Sequence, residues 1–379
     1  MKGKQGLVCM GLLLVLSSCS CHTGKQITAS GLQRKDFQTE VNGQHTDLFT
    51  LSNKQGMEVC ITNYGARVVS ILVPDRNGKR EDVVCGFSTI TEYMEQRQNF
   101  GSTVGRYIGR ILNARFTLDG VEYKLVPNNG KSGHISHGGN PGFADRIWKV
   151  EQADTHRVRL SYLSPDGENG FPGNLKVTLV YSLGEDDNAL DLTYEATTDA
   201  PTVLNLSHHS FFNISGNFTK SVEDQQLWVD ADRFTPYDDK KCVTGEYLPV
   251  AGTPLDFRMP HTIGECIDAD HPQLKVVNGY DHTWELNTKG DDTRPAAWVY
   301  DPASGRKMEI FTTEPGIQIY TGNGLKGKMT GKRGIAYPFR SAVCFETMHF
   351  QDSPNQPEFP STVLRPGEVF HSHTVYKFE

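Results

Sequence analysis

The stretch Phe116-Thr117-Leu118-Asp119-Gly120-Val121-Glu122-Tyr123-Lys124-Leu125 decides the fold class of this 379-residue chain. Asp-Gly supplies the two positive φ angles of a two-residue hairpin turn, so the flanking runs are predicted to pair as antiparallel strands. Alternating or apolar runs of similar length recur at residues 57–62, 68–73, 158–163, 175–183, 190–196, 307–311, 316–320 and 343–346. In the first of these runs apolar and other residues alternate strictly, which predicts a half-buried strand. Such a succession of short runs and turns is typical of an antiparallel sheet protein.

Helical signals are few. Residues 89–97 form the clearest helical stretch, where Thr89 and Glu92 have the spacing of a capping box. The chain shows no alternation of strands with long amphipathic helices, and we therefore predict an all-β fold with sheets packed face to face. Since no internal repeat or Pro/Ser-rich linker interrupts residues 36–379, the simplest interpretation is a single large domain.

The first residues have the features of an export signal. Lys2 and Lys4 precede an apolar run at residues 7–16 that is too short to span a bilayer. The run ends in Leu16-Ser17-Ser18-Cys19, which resembles the lipobox of bacterial lipoproteins. We predict a signal peptide at residues 1–18, acylation of Cys19, a flexible tether at 19–35 and a lipid-anchored protein on the periplasmic or cell-surface side, although an ordinary signal peptide is the alternative.

Composition limits the possible partners. The chain carries a formal net charge of -7, and no cluster of lysines or arginines offers a phosphate footprint for a nucleic acid. Five cysteines lie beyond the leader, and none shows a C-x-x-C spacing: Cys60, Cys85, Cys242, Cys266 and Cys344. A disulfide framework or zinc ribbon is therefore not expected. A single disulfide is compatible with an exported protein.

Two adjacent histidines lie in the apolar run Asn205-Leu206-Ser207-His208-His209-Ser210-Phe211-Phe212-Asn213. If this run is a strand, successive side chains point to opposite faces. His209 then shares a face with Ser207 and Phe211, while His208 points the other way. Only one of the two imidazoles can face a given pocket.

Other polar side chains with catalytic potential stand near buried strands. Glu346 follows the apolar run 342–345, where burial would raise its pKa toward the range of a general base. A glutamate that faces water at the end of a strand explains this pattern equally well. A metal site is an alternative for the histidines, which are His134 and His137 in a His-x-x-His spacing, His208, His209 and His282. The signal is weak, because His208 and His209 lie on opposite faces of a strand and cannot bind the same ion.

Several segments form an ordered pattern that covers about residues 38–378, nearly all of the predicted mature chain. They are Gly105-Arg106-Tyr107-Ile108-Gly109-Arg110-Ile111, Ser136-His137-Gly138-Gly139, Asn205 to Asn213, Pro254-Leu255-Asp256-Phe257-Arg258, Gly279-Tyr280-Asp281-His282, Thr313-Glu314-Pro315-Gly316, and Glu346-Thr347-Met348-His349-Phe350 followed by Asp352-Ser353-Pro354-Asn355. In this order they resemble the aldose 1-epimerase (galactose mutarotase) family.

The resemblance implies a large antiparallel β-supersandwich with few short helices, and an enzyme that interconverts the α and β anomers of free aldohexoses such as galactose and glucose. By motif position, His209 is expected to be the general acid and Glu346 the general base. The side chains expected to hold the sugar are Arg110, His137, Asp281 and Gln318. No cofactor or metal is expected, the partner is a monosaccharide, and the enzyme is expected to be a monomer or homodimer.

The chain departs from the family pattern at two positions. Gly109 stands where the family commonly has Asn, which affects the expected recognition of sugar hydroxyls, and His208 stands where the family often has Asn. Three alternatives remain open: an epimerase for another sugar or a hexose phosphate, a sandwich hydrolase or lyase with Asp281 as a second carboxylate, and a non-catalytic sugar-binding lipoprotein. A hydrolase would need its two carboxyl groups about 5–9.5 Å apart.

Overall fold

A nine-stranded antiparallel sheet is the largest element of the computed structural model, which describes residues 26–379. The predicted signal peptide, Cys19 and the first part of the tether lie outside the described residues. In spatial order the strands are Lys149–Ala153, Arg157–Ser164, Leu175–Leu183, Ala189–Thr198, Phe370–Phe378, Lys307–Thr312, Ala297–Tyr300, Gln226–Val229 and His261–Thr262.

Two smaller antiparallel sheets complete the main framework. The six-stranded sheet consists, in spatial order, of Phe211–Phe212, Val343–Met348, Gly316–Tyr320, Asp281–Glu285, Arg233–Thr235 and Leu248–Pro249. The four-stranded sheet consists of Leu48–Ser52, Glu58–Thr62, Arg67–Pro74 and Arg80–Asp82. Five two-stranded ladders pair Glu40–Val41 with Gln44–His45, Arg115–Leu118 with Val121–Lys124, Arg110–Ile111 with Ile135–Ser136, Thr202–Val203 with Val363–Leu364, and Ser102–Val104 with Ser207–His209.

Helices are short, as predicted. The α-helices of residues 26–379 are Ile90–Gln96 and Pro272–Val277, and single 3-10 turns occur at Arg34–Phe37, Leu112–Ala114, Gly130–Ser132, Phe143–Asp145, Glu168–Gly170, Ile263–Glu265, Lys332–Gly334 and Ser353–Asn355. Thr89 caps the first helix, since its hydroxyl accepts from the Glu92 amide at 3.1 Å. None of the helices in the described part of the chain is long and apolar enough to cross a membrane.

The predicted hairpin is confirmed. Arg115–Leu118 pairs with Val121–Lys124, and the turn residues Asp119 and Gly120 have φ values of 50° and 79°. These two positive angles are those of the type I′ turn, whose twist matches that of the strands.

The strand Glu58–Thr62 differs from its prediction as a half-buried strand. All five of its residues are buried. Val59 and Ile61 pack in the main apolar core, whereas Cys60 packs on the opposite face in a second buried cluster. Period-two polarity alone cannot reveal a strand that is covered on both faces.

The three sheets share one apolar core, which explains how they stay together. Ile61 of the four-stranded sheet, Leu179 and Leu192 of the nine-stranded sheet, and Trp284 and Phe345 of the six-stranded sheet all belong to it. The prediction of an all-β fold with sheets packed face to face is confirmed. Burial of large apolar side chains, worth about 1.5–3 kcal/mol each, stabilises this arrangement.

Residues 26–35, the last part of the predicted tether, contact the rest of the structure. Thr28 and Leu32 are buried, and the Arg34 guanidinium contacts the Asp47 carboxylate at 2.5 Å. The described part of this segment therefore packs against the strands that follow it.

Candidate active site

One polar pocket gathers the side chains that the sequence predicted as catalytic and sugar-binding. All six line it: Arg110, His137, His209, Asp281, Gln318 and Glu346. The remaining lining residues are Gly109, Ser136, Tyr320, Met348 and Gln351. Residues that are up to 236 positions apart in the sequence, from Arg110 to Glu346, thus converge on one cavity.

The six-stranded sheet supplies three of these side chains through its register. Gln318 and Glu346 lie directly opposite each other on neighbouring strands. On the next strand Thr283 lies opposite Gln318, and Asp281 precedes Thr283 by two residues. Because side chains at directly paired positions and at i, i+2 share a face, the carboxylates and the amide point into the same pocket.

A second ladder supplies Arg110 and His137. Arg110 pairs with Ser136, and the His137 amide then donates to the Gly109 carbonyl at 2.9 Å. His137 has a φ of 52°, a left-handed conformation that costs a non-glycine residue of the order of 1–3 kcal/mol. The surrounding contacts hold this conformation, which turns the imidazole into the pocket.

The glycine that follows His137 allows this turn to pack closely. A Cβ on Gly138 would lie 2.0 Å from the carbonyl oxygen of Gly105. No side chain fits there, which gives a physical reason for glycine directly after His137 in the Ser-His-Gly-Gly segment.

His209 reaches the pocket from a third ladder. Its strand, Ser207–His209, pairs with Ser102–Val104. The imidazole stacks on Phe211 with ring centroids 5.1 Å apart and an interplanar angle of 17°, and the His137 ring lies edge-on at 5.6 Å. These contacts fix the ring plane and leave Nε2 directed at Glu346.

His209 and Glu346 form a buried acid–base pair. The distance from His209 Nε2 to Glu346 Oε1 is 3.3 Å, and the two side chains are 7% and 5% exposed. Glu346 lies within the strand Val343–Met348, so the alternative of a water-facing glutamate at a strand end is wrong. His209 Nδ1 is buried without a hydrogen-bond partner among residues 26–379.

Burial drives both members of this pair toward their neutral forms. It raises the pKa of Glu346 well above the ordinary value, and the nearby Asp281 carboxylate adds to the rise. Burial also lowers the pKa of His209 well below its ordinary value, and His137 contributes in the same direction. The pair therefore holds a single proton over a wide range of pH.

The predicted sugar-holding side chains form a connected polar network. Gln318 Nε2 donates to Asp281 Oδ1 at 2.7 Å, and Gln318 Oε1 accepts from the Thr283 hydroxyl. Burial raises the pKa of Asp281, and the Arg110 guanidinium opposes this rise. Burial and Arg110 together lower the pKa of His137 to about 4. The site thus offers a cation, a neutral imidazole, an amide and a carboxyl group.

His208 points away from this pocket, as the strand argument predicts. Its Nε2 contacts the Ser210 hydroxyl at 2.7 Å, and its ring packs between Tyr181 and Tyr376, with centroids 6.2 and 6.0 Å away. Burial lowers its pKa to about 3. His208 is therefore a neutral core histidine on the far face of the strand.

The prediction missed Gln351, which also lines the pocket and is 5% exposed. The residue stands between two parts of a motif that the sequence analysis singled out, Glu346 to Phe350 and Asp352 to Asn355. Its position between these two parts of the motif was the signal that could have identified it as a site residue.

A second histidine–glutamate pair lies close by in the sequence. His349 Nδ1 contacts Glu314 Oε2 at 2.7 Å, with side-chain exposures of 22% and 2%. The Asn205 amide holds the same segment, because it donates to the His349 carbonyl and accepts from the His349 amide, both at 3.0 Å. This clamp joins the segment that carries Glu346 to the segment that carries His209.

Of the five histidines of the weak metal alternative, His137 and His209 line the pocket and the other three do not. His134 Nε2 contacts Cys242 Sγ at 3.2 Å, and His282 packs against the Tyr237 ring at 5.3 Å. Within residues 26–379, the group that could hold a metal ion is His209, Cys344 and Glu346, whose ligand atoms lie within 4.8 Å of one another. Burial and the neighbouring Glu346 raise the pKa of the Cys344 thiol well above its ordinary value, which disfavours the thiolate that a metal requires.

Comparison with known proteins identifies relatives that match over almost the whole described chain. The sequence model of the family described as aldose 1-epimerase matches residues 47–377. Galactose mutarotase of Sus scrofa is 39% identical over 330 residues, which cover 87% of this chain and 93% of the relative. Aldose 1-epimerase of Escherichia coli strain K12 is 37% identical over 340 residues, covering 89% and 96%.

The fold agrees with a solved structure. The crystal structure of an aldose epimerase homologue from C. elegans superposes with a TM-score of 0.81 at 31% sequence identity, and covers 88% of this chain and 99% of that one. The antiparallel supersandwich predicted from the resemblance is therefore confirmed.

Proposed function

We propose that this chain, which belongs to the aldose 1-epimerase family, interconverts the α and β anomers of free aldohexoses such as galactose and glucose. The observation that carries the proposal is the buried contact between His209 Nε2 and Glu346 Oε1, 3.3 Å long, in a pocket otherwise lined mostly by polar side chains. Both groups that ring opening requires are present at one place.

The proposed reaction consists of two coupled proton transfers. Glu346 removes the proton of the anomeric hydroxyl, and His209, as imidazolium, donates a proton to the ring oxygen as its bond to C1 breaks. The free aldehyde turns about its bond to C2, and the same groups reverse their roles as the ring closes on the other face. Each positioned transfer contributes about 10²–10⁴ in rate, so the pair can supply a large acceleration without a cofactor.

A single proton on the pair suffices for both directions. In the empty pocket that proton rests on Glu346, because burial disfavours both charges. A bound sugar shifts it along the 3.3 Å contact to His209, since the anomeric hydroxyl donates to the carboxylate and the ring oxygen accepts from the imidazolium. Hydrogen bonds to charged forms stabilise those forms.

The remaining polar side chains suit the binding of sugar hydroxyls. Arg110 and the Gln318 amide can donate, and the Asp281 carboxyl group can accept, in geometries that the network around them fixes. His137, kept neutral by burial, can donate or accept according to its tautomer. We assign these four residues to the orientation of the ring.

An exchange assay on the purified protein tests this function against a sugar-binding lipoprotein and a phosphosugar enzyme. Two-dimensional exchange NMR with galactose, glucose and their 6-phosphates measures anomer interconversion directly. We expect acceleration over buffer with the free sugars and a smaller effect with the phosphates, since the sequence shows no cluster of basic residues for a phosphate. Binding without exchange would favour a sugar-binding lipoprotein, and faster exchange of the phosphates would favour a phosphosugar enzyme.

We also propose that the protein is exported and anchored by acylation of Cys19. The support is the basic Lys2 and Lys4, the apolar run at residues 7–16 and the lipobox-like sequence before Cys19. Incorporation of a palmitate label in a bacterial host tests this, with Cys21→Ala as the matched control. Cys19→Ala is expected to abolish labelling, and equal labelling of both variants contradicts the assignment.

A further inference from the structure

The side chain of Gln351 lines the pocket beside Gly109, which has no side chain of its own. It belongs to neither the predicted catalytic pair nor the predicted sugar-holding set. Its Nε2 donates to the Tyr237 hydroxyl at 2.6 Å and to Gln318 Oε1 at 3.4 Å. Its Oε1 accepts from the Arg110 amide at 3.3 Å. The amide thus touches two residues of the sugar-holding set.

Gly109 provides the space for this side chain. A Cβ on Gly109 would lie 2.6 Å from Gln351 Cγ and 3.2 Å from Gln351 Cδ. The φ of Gly109 is 77°, a conformation that other residues adopt only with strain. A side chain at position 109 and the observed position of Gln351 therefore exclude each other.

The contacts of Gln351 also decide which way the Gln318 amide faces. Gln318 Oε1 accepts from Thr283 and Gln351, so its Nε2 group must face Asp281, to which it donates at 2.7 Å. One N–H of Gln318 then remains for a sugar hydroxyl. On Gln351 itself both N–H groups are used, and Oε1, which accepts once, keeps one lone pair.

We propose that Gln351 is a specificity-determining residue, whose Oε1 accepts a hydrogen bond from one hydroxyl of the bound aldose and whose Nε2 holds Gln318 in its donating orientation. The proposal rests on the proposed function. It assigns the recognition of one hydroxyl to an amide from the loop after Glu346, in the space that Gly109 leaves open.

A panel of deoxy sugars tests the direct contact. We compare kcat/KM of the wild type and of Gln351→Met, which keeps the length of the side chain and removes its hydrogen bonds, on galactose and its 2-, 3-, 4- and 6-deoxy forms. We expect a loss of about 3- to 10-fold on galactose, the size of one net hydrogen bond, mainly through KM. The deoxy sugar that lacks the contacted hydroxyl should lose much less.

Uniform losses on every sugar would overturn the proposal, because a merely structural role weakens all substrates alike. Unchanged values on every sugar would overturn it as well. Failure of the proposed function is a separate outcome, since it would appear as a wild type without anomer exchange on any sugar of the panel.

A substitution at the glycine tests the steric part of the inference. Gly109→Ala should displace Gln351 and reproduce the sugar-dependent pattern of Gln351→Met. Gly120→Ala is the matched control, because Gly120 has a similar φ of 79° and no atom within 4 Å of an added Cβ. The opposite result is a Gly109→Ala variant that loses as much stability as the control but discriminates among the deoxy sugars as the wild type does. That result would show that Gly109 does not govern the position of Gln351.

Discussion

Two of the histidine–glutamate pairs within residues 26–379, His209 with Glu346 and His349 with Glu314, have histidine pKa values that are shifted in opposite directions. His209 and Glu346 are separated by 3.3 Å, and both side chains are at most 7% exposed. His349 and Glu314 are hydrogen-bonded at 2.7 Å, and His349 is 22% exposed. The pKa of His209 is lowered by burial, whereas the charge of Glu314 and its hydrogen bond overcome burial and raise the pKa of His349.

The difference teaches that residue type and proximity do not define an acid–base pair. The His349–Glu314 pair is a stable ion pair, in which the histidine keeps the proton because the hydrogen bond to Glu314 stabilises the charged imidazolium. The His209–Glu346 pair has a longer contact and two disfavoured charges, so its proton can respond to a bound molecule. A mobile proton is what ring opening requires, and a fixed one is useful for structure.

Substitution within the two pairs should separate catalysis from structure, and the largest effect is expected on rate. Glu346→Gln and His209→Asn each remove one positioned proton transfer and should lower kcat by about 10²–10⁴. His208→Asn, on the far face of the same strand, should change kcat far less per folded molecule. Polarimetry on freshly dissolved α-galactose measures all three, and comparable losses at both histidines would refute the strand-face assignment.

Substitution of Glu314 should affect the stability of the fold more than the rate of anomer exchange. Glu314→Gln removes a charged hydrogen-bond partner of a largely buried histidine and should cost about 1–3 kcal/mol of unfolding free energy. Since the folded pKa of His349 is raised, this contribution is complete below the ordinary histidine pKa and is lost as pH rises through the folded pKa. Urea unfolding at several pH values measures it. A cost that grows with pH would contradict the ion-pair interpretation.

The same change at Glu346 should have the opposite effect on stability as pH rises. The folded pKa of Glu346 is raised, so the wild type loses stability as pH rises above the ordinary glutamate pKa and the unfolded carboxyl group ionises first. Glu346→Gln removes this penalty and should stabilise the fold at pH 8 relative to its effect at pH 4, by about 1.4 kcal/mol for each unit by which the folded pKa of Glu346 is raised. Urea unfolding at these two pH values checks it, and a destabilisation that increases with pH would show that the carboxylate is ionised and well solvated.

The sequence predicted most of the fold because local signals were strong. The Asp119-Gly120 turn, the cap at Thr89 and the period-two runs each correspond to an observed element. The complete burial of Glu58–Thr62 could not be predicted, because it depends on packing against the nine-stranded sheet on one side and a second cluster on the other.

The site could be predicted in part for the same reason. Strand alternation correctly separated His209 from His208. The resemblance located five further lining residues: Arg110, His137, Asp281, Gln318 and Glu346. The resemblance also indicated an amide missing at Gly109, but only the three-dimensional structure shows that Gln351 fills that space. The hydrogen bond between Glu314 and His349 was likewise hidden, since the two residues lie on separate segments.

Nitrogen-15 NMR of labelled histidine side chains tests the central claim most directly, because it reports the protonation of each imidazole. His209→Asn and His349→Gln assign the two signals. We predict that His349 titrates above the ordinary histidine pKa, and that His209 stays neutral well below it until a bound sugar draws the proton from Glu346. A His209 signal that titrates at about 6.5, the ordinary histidine pKa, would contradict this assignment.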